Sequence, residues 1–494
     1  MNYIGISAGF HDAALSVVDA AGNIIFAGHS ERYSKQKHDK NLCMGIVEDA
    51  LSYIDGDYEV HYYEKPYLKS LRQLRAGEKV SLRNIFAKNI IGPDVMKALG
   101  NKTIHTHSHH MSHAAAGFQT SPFNNATVVI IDAIGEFDTI TIWDASYDKS
   151  GKAKYKKLYS KKYPDSIGLF YSAMTKRVGL RPLDEEYILM GMAAYGKPIH
   201  YSQMQAELLQ SVSELNFTQN LHIGVSDDFI PGANEMDVAA SAQVLVEELI
   251  QSVMQKAMVL GNSKNLVYGG GVALNCLANR KLVDYFDNIW IMPNPGDAGN
   301  SLGAAAIGFG KKVNWTDAYL GYNIPGTYPV DAILAELTTN SIVGVANGRA
   351  EFGPRALGTR SLLADPRGPL IKDKVNDIKR RQQFRPFAPV ILEELADQYF
   401  DMSGGSSDNR YMQFIATCKY PDLFPAIAHA DGTSRVQTVP KDGSGIRQLL
   451  EAWYVETGCP MLLNTSLNIR GEPMVNDRKD ADRFEKMYNV KVIS

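Results

Sequence analysis

The sequence predicts an α/β protein of more than one domain, with a duplicated strand–turn–strand unit in its N-terminal part. Three observations carry this. The 494 residues exceed what one compact core holds. The pattern of residues 3–29 recurs past residue 125. Composition shifts after residues 318–332, where "AYLGYNIPGTYPVD" carries Gly and Pro without periodicity and reads as a linker. The expected domains are therefore 1–328 and 329–494.

The elements follow in order. "YIGIS", "ALSVVD" and "IIFAGH" are apolar and β-leaning, separated by the turns "GFHDA" and "AAGN". "ATVVIIDAIGEFDTITIWD" repeats strand, Asp/Gly turn, strand, and "KAKYKKLYSKKY" adds a third strand. Such turns present backbone N–H groups, which suit phosphate. "SAQVLVEELIQSVMQKAMVLG" has apolar residues at helical spacing. "NLVYGGGVALNCLANRKLVD" and "IWIMPNPGDAGNSLGAAAIGFG" each read as strand, glycine-bearing loop, helix.

Hydrophobic content of 45% and charged content of 21% are ordinary for a globular protein. The net charge of −3 gives no global attraction to nucleic acid or membrane. No stretch reaches the roughly 18 apolar residues that span a bilayer, and the start does not read as a signal peptide. Cys43, Cys276, Cys418 and Cys459 are scattered, which argues against a disulfide framework or a structural zinc site and fits a cytoplasmic location.

"HTHSHHMSHAAAG" holds five of the twelve histidines. On a helix, His109 and His113 fall at i and i+4, one turn apart on one face, where two imidazoles can share a divalent ion, while His110 points elsewhere. Ala114, Ala115, Ala116 and Gly117 allow close packing behind them. HxxxH alone also suits ordinary core histidines. Asp297, in the loop "NPGDAG", is the candidate third ligand, or else an N-cap carboxylate.

The C-terminal part is arginine-rich. "GRAEFGPRALGTRS" places Arg349, Arg355 and Arg360 among Gly and Pro, a cradle for several phosphate oxygens. "DKVNDIKRRQQFRPFAP" adds Lys374, Lys379, Arg380, Arg381 and Arg385, of which Lys379 to Arg381 also read as a solvated helix face. "HADGTSRVQTV" contributes His429 and Arg435, and "LLNTSLNIRGEP" contributes Asn464, Ser466 and Asn468.

Two local basic runs stand out. Residues 65–88 carry Lys65, Lys69, Arg72, Arg75, Lys79, Arg83 and Lys88. Residues 147–163 carry seven lysines interleaved with Tyr147, Tyr155, Tyr159 and Tyr163. Lysine with aromatics suits a nucleic-acid backbone and exposed bases, and an exposed soluble hairpin is the plain alternative.

These segments together resemble the NodU/CmcH-type O-carbamoyltransferase family. "GFHDAALSVVD", "SHHMSHAAAGF", "LVYGGGVALNCLANRKL", "NPGDAGNSLGAAA", "GRAEFGPRALGTRSLLADPR", "FRPFAPVILEE", "HADGTSRVQTV" and "LLNTSLNIRGEP" occur in the family's order over nearly the whole chain. The resemblance implies an N-terminal actin-like (ASKHA-type) domain and a C-terminal YrdC-like domain. It implies that carbamoyladenylate is made from carbamoyl phosphate and ATP with Mg²⁺ in the second, then passed inside the protein to the first. There the carbamoyl group moves to an acceptor hydroxyl and AMP leaves.

By position, the resemblance makes His109, His113 and Asp297 ligands of a metal, Fe²⁺ or another divalent ion. Asp132, Gly135 and Glu136 would meet the adenylate, with Asp132 at the reacting centre. Gly269, Gly270, Gly271 and Asn275 would form the loop near the nucleotide. Arg349, Arg355, Arg360, Arg380, Arg435, Asn464 and Ser466 would hold carbamoyl phosphate and ATP. His11 and Asp12 would face the acceptor hydroxyl, with one of them its base; simple turn closure is the alternative there. The resemblance extends to no membrane partner and allows a homodimer.

The chain departs from the family pattern at Asn347, where glutamine is usual, at Ile188, where lysine is usual, and at Ala133, where glycine is usual. It also looks short for the family, as if acceptor-side insertions were missing. The acceptor stays open: a hydroxymethylated base in DNA, or a sugar, antibiotic or other small-molecule hydroxyl. A tRNA threonylcarbamoyl-type transferase and a non-catalytic nucleic-acid-binding protein are the other readings of the fold.

Overall fold

A computed structural model describes residues 1–226, 228–402 and 408–494. The chain forms a mixed α/β protein of two compact units. One comprises Met1–Ser30 with His38–Thr316, the other Glu31–Lys37 with Asp317–Ser494.

In the first unit, strands β1 (Asn2–Ser7), β2 (Ala14–Val18), β3 (Ile24–His29), β4 (Tyr58–Tyr62) and β5 (Ile104–Thr106) lie in the order β3-β2-β1-β4-β5. The β1–β2 and β2–β3 pairs are antiparallel; β1–β4 and β4–β5 are parallel. Strands β6 (Asn125–Ile131), β7 (Asp138–Tyr147), β8 (Ala153–Lys162), β9 (Asn265–Gly269) and β10 (Asn288–Trp290) form a second sheet, ordered β8-β7-β6-β9-β10. Its pair senses repeat those of the first. The recurrence seen in the sequence is thus a duplicated sheet. Its innermost strands carry continuous apolar runs, such as Val128–Ile131, because both of their faces are covered.

Strand β8 is an edge strand, which accounts for its lysines: charged side chains on an edge discourage pairing with another chain. Two of the hairpin tyrosines are engaged within the unit. Tyr147 stacks on Phe118 with centroids 4.8 Å apart, and the Tyr155 hydroxyl donates to Gln119 at 3.0 Å. Several lysines are paired, Lys157 with Asp138 at 2.7 Å and Lys161 with Asp165 at 3.1 Å.

Helices α1 (His109–Thr120), α2 (Ile167–Arg177), α3 (Glu235–Leu260) and α4 (Asn300–Phe309) pack in the first unit. Helix α1 is buried at every position except Met111. It meets α4 at Gly303, where a Cβ would lie 1.9 Å from the Ser112 carbonyl oxygen, so only glycine fits. Small residues bring the backbones together and fix where the α1 imidazoles sit.

The second unit is built on a six-stranded mixed sheet. Its strands are β11 (Ile342–Ala346), β12 (Arg360–Ala364), β13 (Ala388–Leu392), β14 (Gln437–Val439), β15 (Met461–Ser466) and β16 (Val492–Ile493), ordered β14-β13-β15-β12-β11-β16. Alternation splits its side chains between two cores. Leu362, Ala364, Ile391 and Leu463 pack with Ile371 and Val375 of α5 (Ile371–Ile378). Leu363, Val390, Leu392 and Leu462 pack with Leu449, Leu450 and Trp453 of α6 (Gly445–Thr457). Among the described residues, no helix is long and apolar enough to cross a membrane.

Candidate functional site

Four side chains from three segments converge in the first unit. His109 and His113 come from the first two turns of α1, Asp132 follows β6, and Asp297 sits in the loop before α4. One ligand atom from each lies within 4.8 Å of the others, and all four residues are buried. His109 Nε2 is 3.0 Å from Asp132 Oδ2 and 3.3 Å from Asp297 Oδ1. His113 Nε2 is 3.6 Å and 3.4 Å from the same two oxygens, and 3.2 Å from His109 Nε2.

Such a cluster is costly without compensation, because burial disfavours every charge in it. For His109, burial pulls the imidazole down, but Asp297 and then Asp132 win and hold it well above its ordinary value. His113 is raised too, its bonds to Asp132 and Asp297 outweighing burial. Burial pushes Asp297 and Asp132 up, and the two imidazoles draw both carboxyls below their ordinary range. Two imidazole nitrogens and two carboxylate oxygens aimed at one buried point are a donor set that suits a divalent ion of the iron, zinc or manganese class.

The surrounding groups also fit a metal. The His109 Nδ1 atom is buried without a hydrogen-bond partner and lies 4.0 Å from Glu64 Oε2, a carboxylate placed to fix the ring once Nε2 is a ligand. Lys69 donates to Glu64 at 2.9 and 3.2 Å. His110 turns away, with Nδ1 2.9 Å from the Thr141 hydroxyl, and burial with His109 nearby depresses it to about 3.

Asp132 therefore joins the expected ligand set instead of standing apart from it. Its Oδ1 accepts the Gly271 N–H at 3.1 Å, which brings the glycine loop Gly269–Gly271 against the cluster. Gly270 has φ +88°, and a Cβ there would lie 2.2 Å from the Ile131 carbonyl oxygen. Gly135 closes the turn between β6 and β7 through a bond from its N–H to Asp138 O.

Two expected nucleotide contacts are otherwise engaged. Glu136 accepts from the His109 amide at 3.0 and 3.1 Å and from the Lys65 amide at 2.9 Å, so its carboxylate caps α1. Asn275 pairs amide to amide with Gln243 at 3.1 Å and caps the turn at Ala278.

His11 and Asp12 lie beside the cluster. His11 Nδ1 is 2.9 Å from Asp12 Oδ2, and its Nε2 is 3.8 Å from Asp297 Oδ2. Burial pulls the His11 imidazole down, but the Asp12 hydrogen bond and the neighbouring carboxylates leave it raised.

The second unit holds a cationic cluster with a different centre from the one the sequence suggested. Lys379 is only 4% exposed and is not part of a solvated helix face. Its ammonium donates to the Ser466 hydroxyl (3.1 Å), the Asn468 carbonyl (2.9 Å), Asn468 Oδ1 (3.0 Å) and the Ser466 carbonyl. Burial, then Arg381 and Arg385, holds it well below its ordinary value. His429 is depressed to about 4, by burial first, with Arg435, Lys372 and Arg381 contributing against Asp431. Arg381 acts on both Lys379 and His429, which links Arg385 on one side to Lys372 and Arg435 on the other. Signals for Lys379 were present: Ile371, Val375 and Lys379 recur every fourth residue, which places the lysine at the C-terminal end of α5 in line with its buried stripe.

The other expected anion contacts divide. Arg360 is fully buried and is a structural residue. Its guanidinium donates to the backbone carbonyls of Asn476, Asn347, Thr359, Tyr322 and Gly348, and burial brings it down to about 10. Replacing Arg360 with Met leaves those buried carbonyls unsatisfied and should lower stability by at least roughly 3 kcal/mol, read as a fall in thermal midpoint. Arg349 donates to the Gly321 carbonyl at 3.2 Å and the Leu320 carbonyl at 2.5 Å. Arg355 is half-buried in the loop that follows the strand Gly348–Glu351, which carries Arg349. Arg380 is exposed and lies over the Tyr488 ring at 5.3 Å. Asn464 donates to Ala356 O and Gln437 Oε1, and its Oδ1 is buried without a partner; Arg435 Nε is likewise unpartnered.

Comparison with known proteins bears on this arrangement. Residues 2–306 match the family model "Carbamoyltransferase N-terminus" and residues 334–493 match "Carbamoyltransferase C-terminus". An uncharacterised protein of Synechocystis sp. is 32% identical over 97% of this chain and 93% of its own length. The nodulation protein NolNO of Sinorhizobium fredii is 29% identical over 95% of this chain and 76% of its own. The Synechocystis alignment runs over 587 positions against the 494 residues here, so that relative carries internal segments this chain lacks. Among solved structures, the activator of 2-hydroxyisocaproyl-CoA dehydratase from Clostridium difficile aligns with 63% of this chain and 94% of its own, at TM-score 0.34 and 14% identity.

Proposed function

The chain belongs to the carbamoyltransferase family, and from that premise we propose that it makes carbamoyladenylate from carbamoyl phosphate and ATP and transfers the carbamoyl group to an acceptor hydroxyl. The observation that carries the reading is the convergence of His109, His113, Asp132 and Asp297 beside His11. We read the first unit as actin-like, supported by its two sheets of equal order and senses. We read the second as YrdC-like, supported by its mixed sheet and the cations around Lys379.

Carbamoyl carbon is a poor electrophile, because its nitrogen donates into the carbonyl. Activation comes first, in the second unit. Water cleaves carbamoyl phosphate to carbamate and inorganic phosphate; a carbamate oxygen then attacks the α-phosphorus of ATP and pyrophosphate leaves. Lys379, Arg381, Arg385 and Arg435 offset the phosphate charge that builds up there, and Mg²⁺ accompanies the ATP.

Transfer follows in the first unit. The acceptor oxygen attacks the carbamoyl carbon, its proton goes to His11 Nε2, and AMP leaves. Asp12 accepts from Nδ1 and so keeps Nε2 free for that proton, a contribution of roughly 10²–10⁴ in rate. His109, His113, Asp132 and Asp297 are the residues that would hold a divalent metal, which supplies positive charge against a developing oxyanion.

A hydroxymethylated base in DNA is one acceptor in this class, favoured by the exposed Lys154, Lys156 and Lys162 on β8. A DNA acceptor loses binding steeply as salt rises; a small neutral acceptor does not.

The test supplies carbamoyl phosphate, ATP and a panel of hydroxyl acceptors, hydroxymethylcytosine DNA included, and follows pyrophosphate, AMP and carbamoylated product. Protein dialysed against a chelator and returned to Mg²⁺ should still release pyrophosphate but form at least roughly a hundredfold less product. Equal loss of both would show that the first-unit cluster is not confined to transfer.

A further inference from the structure

We propose that His38, held between Asp12 and Asp184, is a positioning residue that fixes the tautomer of His11. The proposal deepens the reading above and rests on His11 as the group that faces the acceptor.

The first unit contains an unbroken run of imidazoles and carboxylates. His11 Nδ1 is 2.9 Å from Asp12 Oδ2. The other oxygen of Asp12 is 2.7 Å from His38 Nδ1, and His38 Nε2 is 2.6 Å from Asp184 Oδ1. Asp184 Oδ2 is 2.7 Å from Arg181 Nη2, whose side chain is 65% exposed. The run therefore leads from the metal-ligating cluster to solvent.

Hydrogen-bond chemistry gives the run a direction. A carboxylate only accepts, so His11 Nδ1 must carry a proton toward Asp12, and the lone pair of neutral His11 is left on Nε2. Asp12 can impose this only if its own carboxylate is pinned. A short side chain on a turn is not pinned by one bond to a neighbour in sequence. His38 supplies the second hold. Its two nitrogens face two carboxylates, so the ring bridges Asp12 to Asp184. Asp12 is thereby clasped between two imidazoles, and its carboxyl sits well below the usual range: burial would raise it, but the bonds from His11 and His38 prevail.

The backbone shows the cost of the arrangement. Asp12 has φ +52° and His38 has φ +55°, the left-handed region that non-glycine residues seldom adopt. Two strained residues facing each other are held there by what surrounds them, and such strain gathers at functional sites. A plain salt link between residues 35–40 and 181–186 would need neither the second nitrogen of His38 nor a shared Asp12.

The experiment reads the tautomer directly. Protein with ¹⁵N-labelled histidine gives the His11 ring signals, identified by their loss in His11→Gln. The parent should show a protonated Nδ1 and an unprotonated Nε2. In His38→Gln and Asp184→Asn the two tautomers of His11 should mix. Transfer kcat should fall at least tenfold, with acceptor KM within twofold and pyrophosphate release unchanged. Imidazole added to His38→Gly should restore part of the kcat.

An unchanged His11 tautomer in His38→Gln overturns the proposal. So does equal loss of transfer and pyrophosphate release with a lowered thermal midpoint, which marks a merely structural link. Because the ring signals require no turnover, the tautomer result stands or falls apart from whether any acceptor is carbamoylated.

Discussion

Replacing His113 with alanine abolishes carbamoyl transfer, by a factor of roughly 10³ or more, and leaves pyrophosphate release within twofold of the parent. The two half-reactions come apart because the residue serves only one of them. His113 lies in the first unit, one helical turn from His109, and its Nε2 reaches both Asp132 and Asp297. Its loss removes one of four converging ligand atoms and one of two cationic partners for two buried carboxylates. The metal-free variant should therefore bind a divalent ion at least roughly a hundredfold more weakly, measured by calorimetric titration. It should also melt lower, because a net negative charge is left buried. Asp297→Asn separates these effects. It removes a ligand oxygen, and an imidazole left without its carboxylate can shed its proton, so the variant should lose transfer while melting closer to the parent. Pyrophosphate release that falls in step with transfer in both variants would refute the division of labour.

Much of the first unit was legible because its signals are local. Strand runs such as "ATVVIID", the Asp/Gly turns between them and their repetition past residue 125 correspond to two sheets of the same order. The i, i+4 spacing of His109 and His113 required only a helix, and the small residues behind them required only close packing, which Gly303 against Ser112 supplies. Residues 31–37, which group with the second unit, carry no local sign of that membership. Neither do His38 and Asp184, 146 positions apart and joined by one hydrogen bond.

The arginines were harder to read, because composition does not say which way a guanidinium points. Arg360 and Lys379 look interchangeable as cations in a basic segment. Strand β12 turns Arg360 inward onto backbone carbonyls, whereas α5 brings Lys379 among side-chain and backbone oxygens beside other cations. A buried cation whose N–H groups all meet carbonyls and whose charge a carboxylate offsets, as Glu351 does for Arg360, has no need of an anion. One held among neutral oxygens, with Arg381 and Arg385 acting on it, still has an unmet need for negative charge.

That difference sets the second large effect. Lys379→Met should lose pyrophosphate release by a factor of roughly 10²–10³ and keep transfer from carbamoyladenylate supplied in solution. The direction of the lysine's proton equilibrium also fixes the expected change in stability. Hydrogen bonds to Ser466 and Asn468 favour the ammonium, yet burial and the neighbouring arginines outweigh them, since the group sits well below its ordinary value. A lowered folded-state value means that the charged lysine opposes folding most fully below that value, and the opposition fades as pH climbs from there to the unfolded value of ~10.4. At neutral pH the methionine variant should therefore melt no lower than the parent, so lost adenylation could not be ascribed to unfolding. A variant that melts several degrees lower would mean that the four oxygen contacts outweigh desolvation and that Lys379 is a strut. One that keeps its pyrophosphate release would move the anion site elsewhere in the second unit, with Arg349 and Arg355 next to be examined by the same assay.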